Sequence, residues 1–208
     1  MLSRILGTAA LATLLLVSLA GADELRAQVY WDSPLMVAPA TPAGWGVYLT
    51  DPSPGGGLGV LSTWRADTAP GGPGFRLGIA EDRRDRVTVF GGIDMSGSLV
   101  QASGDFPVNM IWVAGAGIGV GDGTVLSLPL GVSLGRDFES DGVWFNPYVG
   151  PRVNLDAWFG SDRSDSLRLR LAVDLGIDIS FDPGWAVRFG GTLGDRNALA
   201  IGVSFRVR

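Results

Sequence analysis

Seven charged residues in the last third of the chain have the types and the spacing to act together on a solute. Most lie two or four positions apart, which places them on one side of an extended chain: Arg152, Asp156, Arg168, Arg170, Asp174, Asp178 and Arg188. Guanidinium groups on such a face can select anions in a narrow passage. The same groups can instead pair with the carboxylates and close the passage.

Catalysis is not expected from these groups. The chain has no His, the ordinary base for activating a hydroxyl or a water, and no Cys to supply disulfides or thiolate metal ligands. Each aspartate has an arginine nearby, which favours its ionised form. Gly55-Gly56-Gly57 lacks the Lys and the following helix of a phosphate-binding loop. The sequence predicts a protein that is not an enzyme and uses no metal and no cofactor.

Most of these charges lie on one very regular stretch, Ser166–Phe181. Its sequence, SLRLRLAVDLGIDISF, places Leu, Ile, Val and Phe on one side and Arg, Asp and small residues on the other. A period of two indicates a β-strand. Because roughly 9–11 tilted residues already cross a bilayer, this strand is long enough to span a membrane.

Ten alternating runs follow one another to the end of the chain, separated by Gly, Pro, Asp and Ser. They are Gly44–Thr50, Gly57–Arg65, Gly74–Ala80, Arg86–Ser96, Pro107–Val120, Thr124–Arg136, Val143–Ala157, Ser166–Phe181, Trp185–Gly194 and Ala198–Arg208. The pattern predicts an all-β fold, an up-and-down antiparallel transmembrane β-barrel of ten strands over residues 44–208. Eight strands are the alternative, because the first three runs are the weakest.

The chain before the barrel divides into two parts. Residues 1–22 have one early Arg, an apolar run and the small residues Ala20-Gly21-Ala22, which predicts a secretory signal peptide cleaved before Asp23. Residues 23–43 contain three prolines among small residues and cannot form a central strand. They are interpreted as an N-terminal lead-in or plug, and a loose periplasmic tail fits the composition equally well.

Two features of the faces favour a membrane barrel over a soluble one. The polar face is made of small residues, as the crowded interior of a narrow barrel requires: Gly115, Gly117, Gly119, Ser127, Pro129, Gly131, Ser133 and Gly135. The apolar face carries almost no charge, which contact with lipid explains, because an Arg at the bilayer midplane costs roughly 2–4 kcal/mol.

The alternative is a soluble periplasmic or secreted β-barrel that binds an apolar ligand. A net charge of −5 argues against a nucleic-acid partner.

Aromatic residues supply a third feature. With both ends of the barrel at one rim, an outward aromatic lies near that rim on every strand but the fourth: Trp45, Trp64, Phe75, Phe106, Phe138, Phe145, Phe181, Trp185 and Phe205. Rings at the headgroup level form such a girdle in transmembrane barrels. A soluble core gives no reason to sort them to one end.

From Gly44 to Arg208 the chain resembles the small bacterial outer-membrane β-barrel proteins of eight to ten strands, which are porin-like. The runs LSLPLGVSLGR and NPYVGPRVNLD look like adjacent strands of that class, and AIGVSFRVR is similar to its C-terminal insertion signal. The resemblance implies the outer membrane of a Gram-negative cell, contact with outer-membrane lipid, and recognition of the last strand by the barrel-assembly machinery. The class usually ends on an aromatic residue, whereas this chain ends Val207-Arg208.

Pairing the predicted strands places opposite charges side by side inside the barrel: Asp156 with Arg168, Asp178 with Arg188, and Arg152 diagonal to Arg170 and Asp174. Porins with aqueous channels need ~16–18 strands. A lumen largely plugged by these pairs is therefore favoured over an anion-selective constriction. The expected function is structural, or that of a narrow pore for small solutes, and no motif identifies the solute.

Overall fold

The computed structural model describes residues 29–52, 57–68, 71–81, 86–160 and 166–206. The predicted signal peptide, residues 23–28 and Val207-Arg208 lie outside these ranges. The described residues form eleven strands: β1 Gly44–Asp51, β2 Gly59–Arg65, β3 Gly71–Glu81, β4 Val87–Val100, β5 Asn109–Val120, β6 Thr124–Gly135, β7 Phe138–Ser140, β8 Val143–Phe159, β9 Ser166–Asp182, β10 Trp185–Gly194 and β11 Ala198–Phe205. No helix among them is long and apolar enough to cross a membrane.

The strands form one antiparallel sheet that closes on itself. Neighbours pair in chain order, β6 pairs with β8, and β1 closes the wall against β11, with Trp45 opposite Phe205. The short strand β7 lies along β8 beyond the end of β6, so the wall has ten strands. The ten-strand prediction is confirmed. The alternative of eight is wrong, because each of the first three runs forms a full wall strand.

The register fixes how far the strands are staggered around the wall. Following paired residues once around the barrel from Leu167 on β9 leads back to Ile179 on the same strand, twelve residues further along. Closing a sheet with such a stagger requires the strands to tilt by ~35–45°. One consequence is local: β10 ends at Gly194, which pairs with Ala172, so β9 extends six residues beyond the end of β10.

Side chains alternate between the two faces of the wall, as the sequence pattern predicts. Large apolar side chains point outward and are exposed on all ten wall strands, among them Leu49, Leu77, Ile93, Leu130 and Leu199. The buried charged side chains belong to inward positions on the same strands or to the segments beside them. The exterior is therefore apolar and the interior polar, the reverse of a water-soluble barrel.

The lumen is occupied by the chain that precedes β1. We call Val29–Ala43 the lumenal segment; it contains no helix or strand, and each of its residues from Val29 to Pro39 is buried. Its apolar side chains pack in one cluster with the inward-facing Tyr48, Leu61 and Phe90 of the wall. The core of this protein lies inside the barrel and is shared between wall and segment.

The apolar exterior leads to a prediction about depth in the bilayer. Leu77 lies near the middle of β3 and is 64% exposed, and Leu58 lies just before β2 at the rim and is 72% exposed. An Arg facing lipid costs ~2–4 kcal/mol at the midplane and about 0–1 near the interface. Leu77→Arg should therefore greatly reduce folding into lipid vesicles, measured by urea titration, whereas Leu58→Arg should fold almost normally. Equal tolerance of the two changes would mean that this surface does not face hydrocarbon.

Candidate functional site in the barrel lumen

The lumenal segment runs the length of the bore. We call the rim at which β1 begins and β11 ends the near rim, and the rim of the β5–β6 and β10–β11 turns the far rim. The main-chain oxygen of Val29 lies against Gly119, close to the far rim, and the ring of Pro39 lies against Gly135, at the near-rim end of β6. The segment thus passes from the far rim to the near rim before it enters β1.

Trp31 anchors the segment to the wall and is the largest fully buried side chain of the described residues. A Cβ added at Gly92 or Gly117 would collide with its ring, and one at Gly115 would come within 2.8 Å of it. Its indole Nε1 donates a hydrogen bond to the carbonyl oxygen of Ser127 at 3.0 Å. The wall of small residues on β4 and β5 therefore makes room for this one large ring.

Asp32 is fully buried, and its carboxylate is held between two arginines. Its Oδ2 accepts from Arg152 Nη1 and its Oδ1 from Arg196 Nη1, while Arg152 Nη2 also donates to the Asp32 main-chain oxygen at 2.9 Å. Both arginines also bind carboxylates of the wall: Arg152 Nε donates to Asp174 at 2.6 Å, and Arg196 Nη2 donates to Asp156. Alternating charges thus link β8, β9 and the β10–β11 turn through the segment.

Two further arginines bind the main chain of the segment. Arg76 Nη1 donates to the carbonyl oxygen of Pro34 at 2.8 Å and its Nη2 to that of Leu35. Arg188 Nη2 donates to the carbonyl oxygen of Met36 at 2.9 Å. Carbonyl groups of an irregular segment inside a barrel have no strand partner, and a buried carbonyl without a partner is costly. These guanidinium groups supply the missing donors.

The buried charges of the described residues balance one another. The buried arginines are Arg65, Arg76, Arg152, Arg188 and Arg196, and the buried aspartates are Asp32, Asp94, Asp156, Asp174 and Asp178. Breaking a buried ion pair by removing one partner costs about 3–5 kcal/mol, because the other charge is left uncompensated. Asp32 is the one member of this set that belongs to the lumenal segment. With the Asp32 carboxylate included, the buried aspartates equal the buried arginines in number.

Most of the lumen charges expected from the sequence belong to this buried set. Asp178 accepts from Arg188 Nε at 2.7 Å across β9 and β10, as the predicted pairing requires. Arg152 reaches Asp174 across the predicted diagonal. Arg170 is only partly buried and lies beside this set, with its Nε 3.6 Å from Asp156 Oδ2.

Arg168 is the exception among the seven. It stands opposite Asp156 in the register, as predicted, but it is exposed, and Asp156 binds Arg196 instead. The reason is the stagger of the strands: Arg168 lies on the part of β9 that extends beyond the β10–β11 turn, so its inward face is open to solvent.

Five further buried charges were not identified from the sequence: Asp32, Arg65, Arg76, Asp94 and Arg196. Three of them, Arg65, Arg76 and Asp94, occupy inward positions of alternating runs, so the same pattern contained the signal. Arg196 lies in a turn and Asp32 in a proline-rich segment. No periodicity marks a residue in either place.

The predicted girdle aromatics lie at the near rim. Trp45 stands opposite both Trp64 and Phe205, Phe205 stands opposite Trp185, and Trp64 stacks on Phe75 with ring centroids 4.6 Å apart. Phe138 stacks on Phe145 at 5.2 Å, and Phe181 lies 5.6 Å from Trp185. Phe106 is the one that lies outside a strand, in the connection between β4 and β5, which begins at Asn109.

A vestibule of about 490 Å³ opens at the near rim, bordered by Pro42, Trp144, Phe181 and Trp185. Asp137 also borders it, and partial burial raises the pKa of that carboxyl above its ordinary value. A separate gap between Met36 and the wall measures about 10 Å³, roughly the space that one water molecule needs. The vestibule can hold a small solute, whereas this gap cannot.

The closed wall, its apolar exterior and its polar, charged interior together decide the class. The chain forms a transmembrane β-barrel. No protein-family model matches it, and no curated protein does. Among solved structures it is similar to one described as "De novo design of transmembrane beta-barrels", with 15% identity and a TM-score of 0.38 over 81% of this chain and 99% of that one.

The barrel is also similar to Ail, the attachment invasion locus protein of Yersinia pestis, solved in complex with the heparin analogue sucrose octasulfate. The identity is 12% and the TM-score 0.26, over 79% of this chain and 99% of that chain.

The close contact between the Trp31 ring and the glycines of the wall leads to a prediction about packing. Gly92→Ala places a methyl group against the Trp31 ring, and overpacking of this kind costs about 1–3 kcal/mol. Gly150→Ala is the matched control, because its Cβ would find its nearest neighbour at 3.5 Å, an ordinary contact. Urea unfolding in detergent should show a lower midpoint for Gly92→Ala and little change for Gly150→Ala.

A double-mutant cycle separates this contact from a general effect on β4. In a Trp31→Ala background, Gly92→Ala should have almost no further effect, because the ring it meets is gone. An unchanged cost in that background would show that Trp31 does not lie against Gly92.

Proposed function

We propose that this protein is an outer-membrane β-barrel whose bore is closed by its own N-terminal segment. It serves as a structural membrane protein, or as a narrow passage for small solutes that opens only when the segment is displaced. The observation that carries the proposal is the lumenal segment Val29–Ala43, which is bound to the wall between the far rim and the near rim.

Two anchors account for a bore that stays closed. Trp31 fills the space that the wall glycines leave, and truncating a buried Trp costs about 3–5 kcal/mol. Asp32 is bound by Arg152 and Arg196, and removing one partner of a buried ion pair costs a similar amount, about 3–5 kcal/mol. Because each ~1.4 kcal/mol is a factor of ten in an equilibrium constant, spontaneous release of both anchors is rare.

Placement in the outer membrane is supported by the surface of the barrel and by its last strand. The exposed apolar side chains form a lipid-facing exterior, and the near-rim aromatics suit a headgroup girdle. The wall is closed by β11, whose outward Phe205 lies at the near rim. We propose that the barrel-assembly machinery recognises this strand and that residues 1–22 direct export.

A soluble barrel that binds an apolar ligand has less support. Its ligand would need an apolar interior, whereas the lumen described here contains buried arginines, buried aspartates and a segment of the chain. Large apolar side chains face outward on all ten wall strands, which water would penalise. The absence of His from the sequence also supports a role that is not enzymatic.

Conductance in planar bilayers tests the closed bore. The native protein should give little or no steady current. Trp31→Gly together with Asp32→Ala should open a measurable pore, because the two changes remove both anchors that hold the lumenal segment to the wall.

Trp185→Gly is the matched control, because it removes the same side chain from the outer face of β10. It should leave the barrel as closed as the native protein. A native protein that already conducts steadily would contradict the proposal, since the lumenal segment would then not block the bore.

A further inference from the structure

We propose that the lumen wall contains an anion-binding site, which Asp32 occupies as a tethered carboxylate and which a free small carboxylate occupies when the lumenal segment is displaced. The open barrel is then a pore that prefers anions. This inference rests on the proposed function, because it describes the same bore in its open state.

The site is a pair of guanidinium groups that hold the two oxygens of one carboxylate. Arg152 Nη1 binds Asp32 Oδ2 and Arg196 Nη1 binds Asp32 Oδ1. Both arginine side chains are almost fully buried, and each is also bound by a carboxylate of the wall, Asp174 and Asp156 respectively. The wall therefore supplies an ion-pair partner for both arginines, while the ring of Tyr30 in the segment also stacks on Arg196, with its centroid 4.0 Å from Cζ. Guanidinium groups fixed in this way suit a carboxylate in particular.

Displacing the segment leaves several guanidinium groups of the wall without their partners, but it removes only one hydrogen bond from a wall carboxylate. Arg76 gives both of its Nη groups to the segment and forms no ion pair with a described residue. Arg188 loses one partner, and Arg152 and Arg196 lose the Asp32 carboxylate. On the acidic side the segment contributes one long hydrogen bond, from the Leu35 amide to Asp174 at 3.4 Å. The vacated bore is thus lined by unsatisfied cationic donors.

The number of buried charges also favours anion binding in the open bore. Without Asp32 the buried charged residues of the wall are five arginines and four aspartates. Walls of low dielectric constant focus the field of such an excess into a narrow bore. Anions are therefore concentrated there and cations excluded.

Complementation by a free anion tests the site itself. Asp32→Ala in the full chain removes the tethered carboxylate and leaves the clamp, and formate is the probe because it is the smallest carboxylate. Formate should raise the unfolding temperature of Asp32→Ala in detergent more than chloride does at the same ionic strength. Asp105→Ala is the matched control, since Asp105 is exposed in the segment between β4 and β5. The native protein and this control should respond equally to formate and to chloride.

Selectivity tests the open bore. Trp31→Gly combined with Asp32→Ala releases both anchors while keeping every arginine of the wall. The reversal potential in a potassium chloride gradient should move toward the chloride equilibrium potential. Adding Arg152→Gln to the same variant should move it back toward zero.

The outcomes separate this inference from the proposed function. A native protein that conducts contradicts the closed bore, whatever its selectivity. A native protein that is closed, with an opened variant that prefers cations or does not discriminate, overturns the anion site alone. If the double variant does not fold, the formate experiment decides: an Asp32→Ala protein that responds equally to formate and to chloride overturns the inference.

Discussion

The carboxylate of Asp32, held between Arg152 and Arg196, is the interaction on which the rest of this structure depends. It joins a segment without regular structure to a rigid wall, and it brings the buried acids into balance with the buried arginines. Without it, two guanidinium groups would be buried with fewer partners, which is among the costly arrangements in a protein interior. One side chain therefore links the electrostatics of the lumen to the position of the segment.

The size of the barrel explains why a segment is needed at all. A wall of ten strands encloses more space than small inward side chains can fill and less than an open porin channel requires. Inward glycines such as Gly92 and Gly117 leave room that Trp31 occupies, so wall and segment are complementary in shape as well as in charge. Removing bulk from the segment and removing bulk from the wall are consequently not equivalent changes.

The candidate site could be predicted in part from the sequence, and the errors of that prediction have physical causes. The alternation of polar and apolar residues placed Asp178 opposite Arg188 and Arg152 near Asp174, because the register of a hairpin follows from its turn. The same reasoning paired Asp156 with Arg168 and missed Arg196. A hairpin considered alone does not show where the next hairpin ends, and the stagger around the barrel decides which of two arginines meets that carboxylate.

The sequence by itself determined the ten wall strands, the direction in which their side chains point and the apolar character of the exterior, since these follow from a period of two. It left residues 23–43 undecided between a plug and a tail, because proline and small residues exclude a central strand without requiring any other partner. Only the tertiary structure decided that Val29–Ala43 lies inside the bore and that Asp32 meets Arg152 and Arg196. Those contacts join residues more than a hundred positions apart, and no local pattern in the chain encodes them.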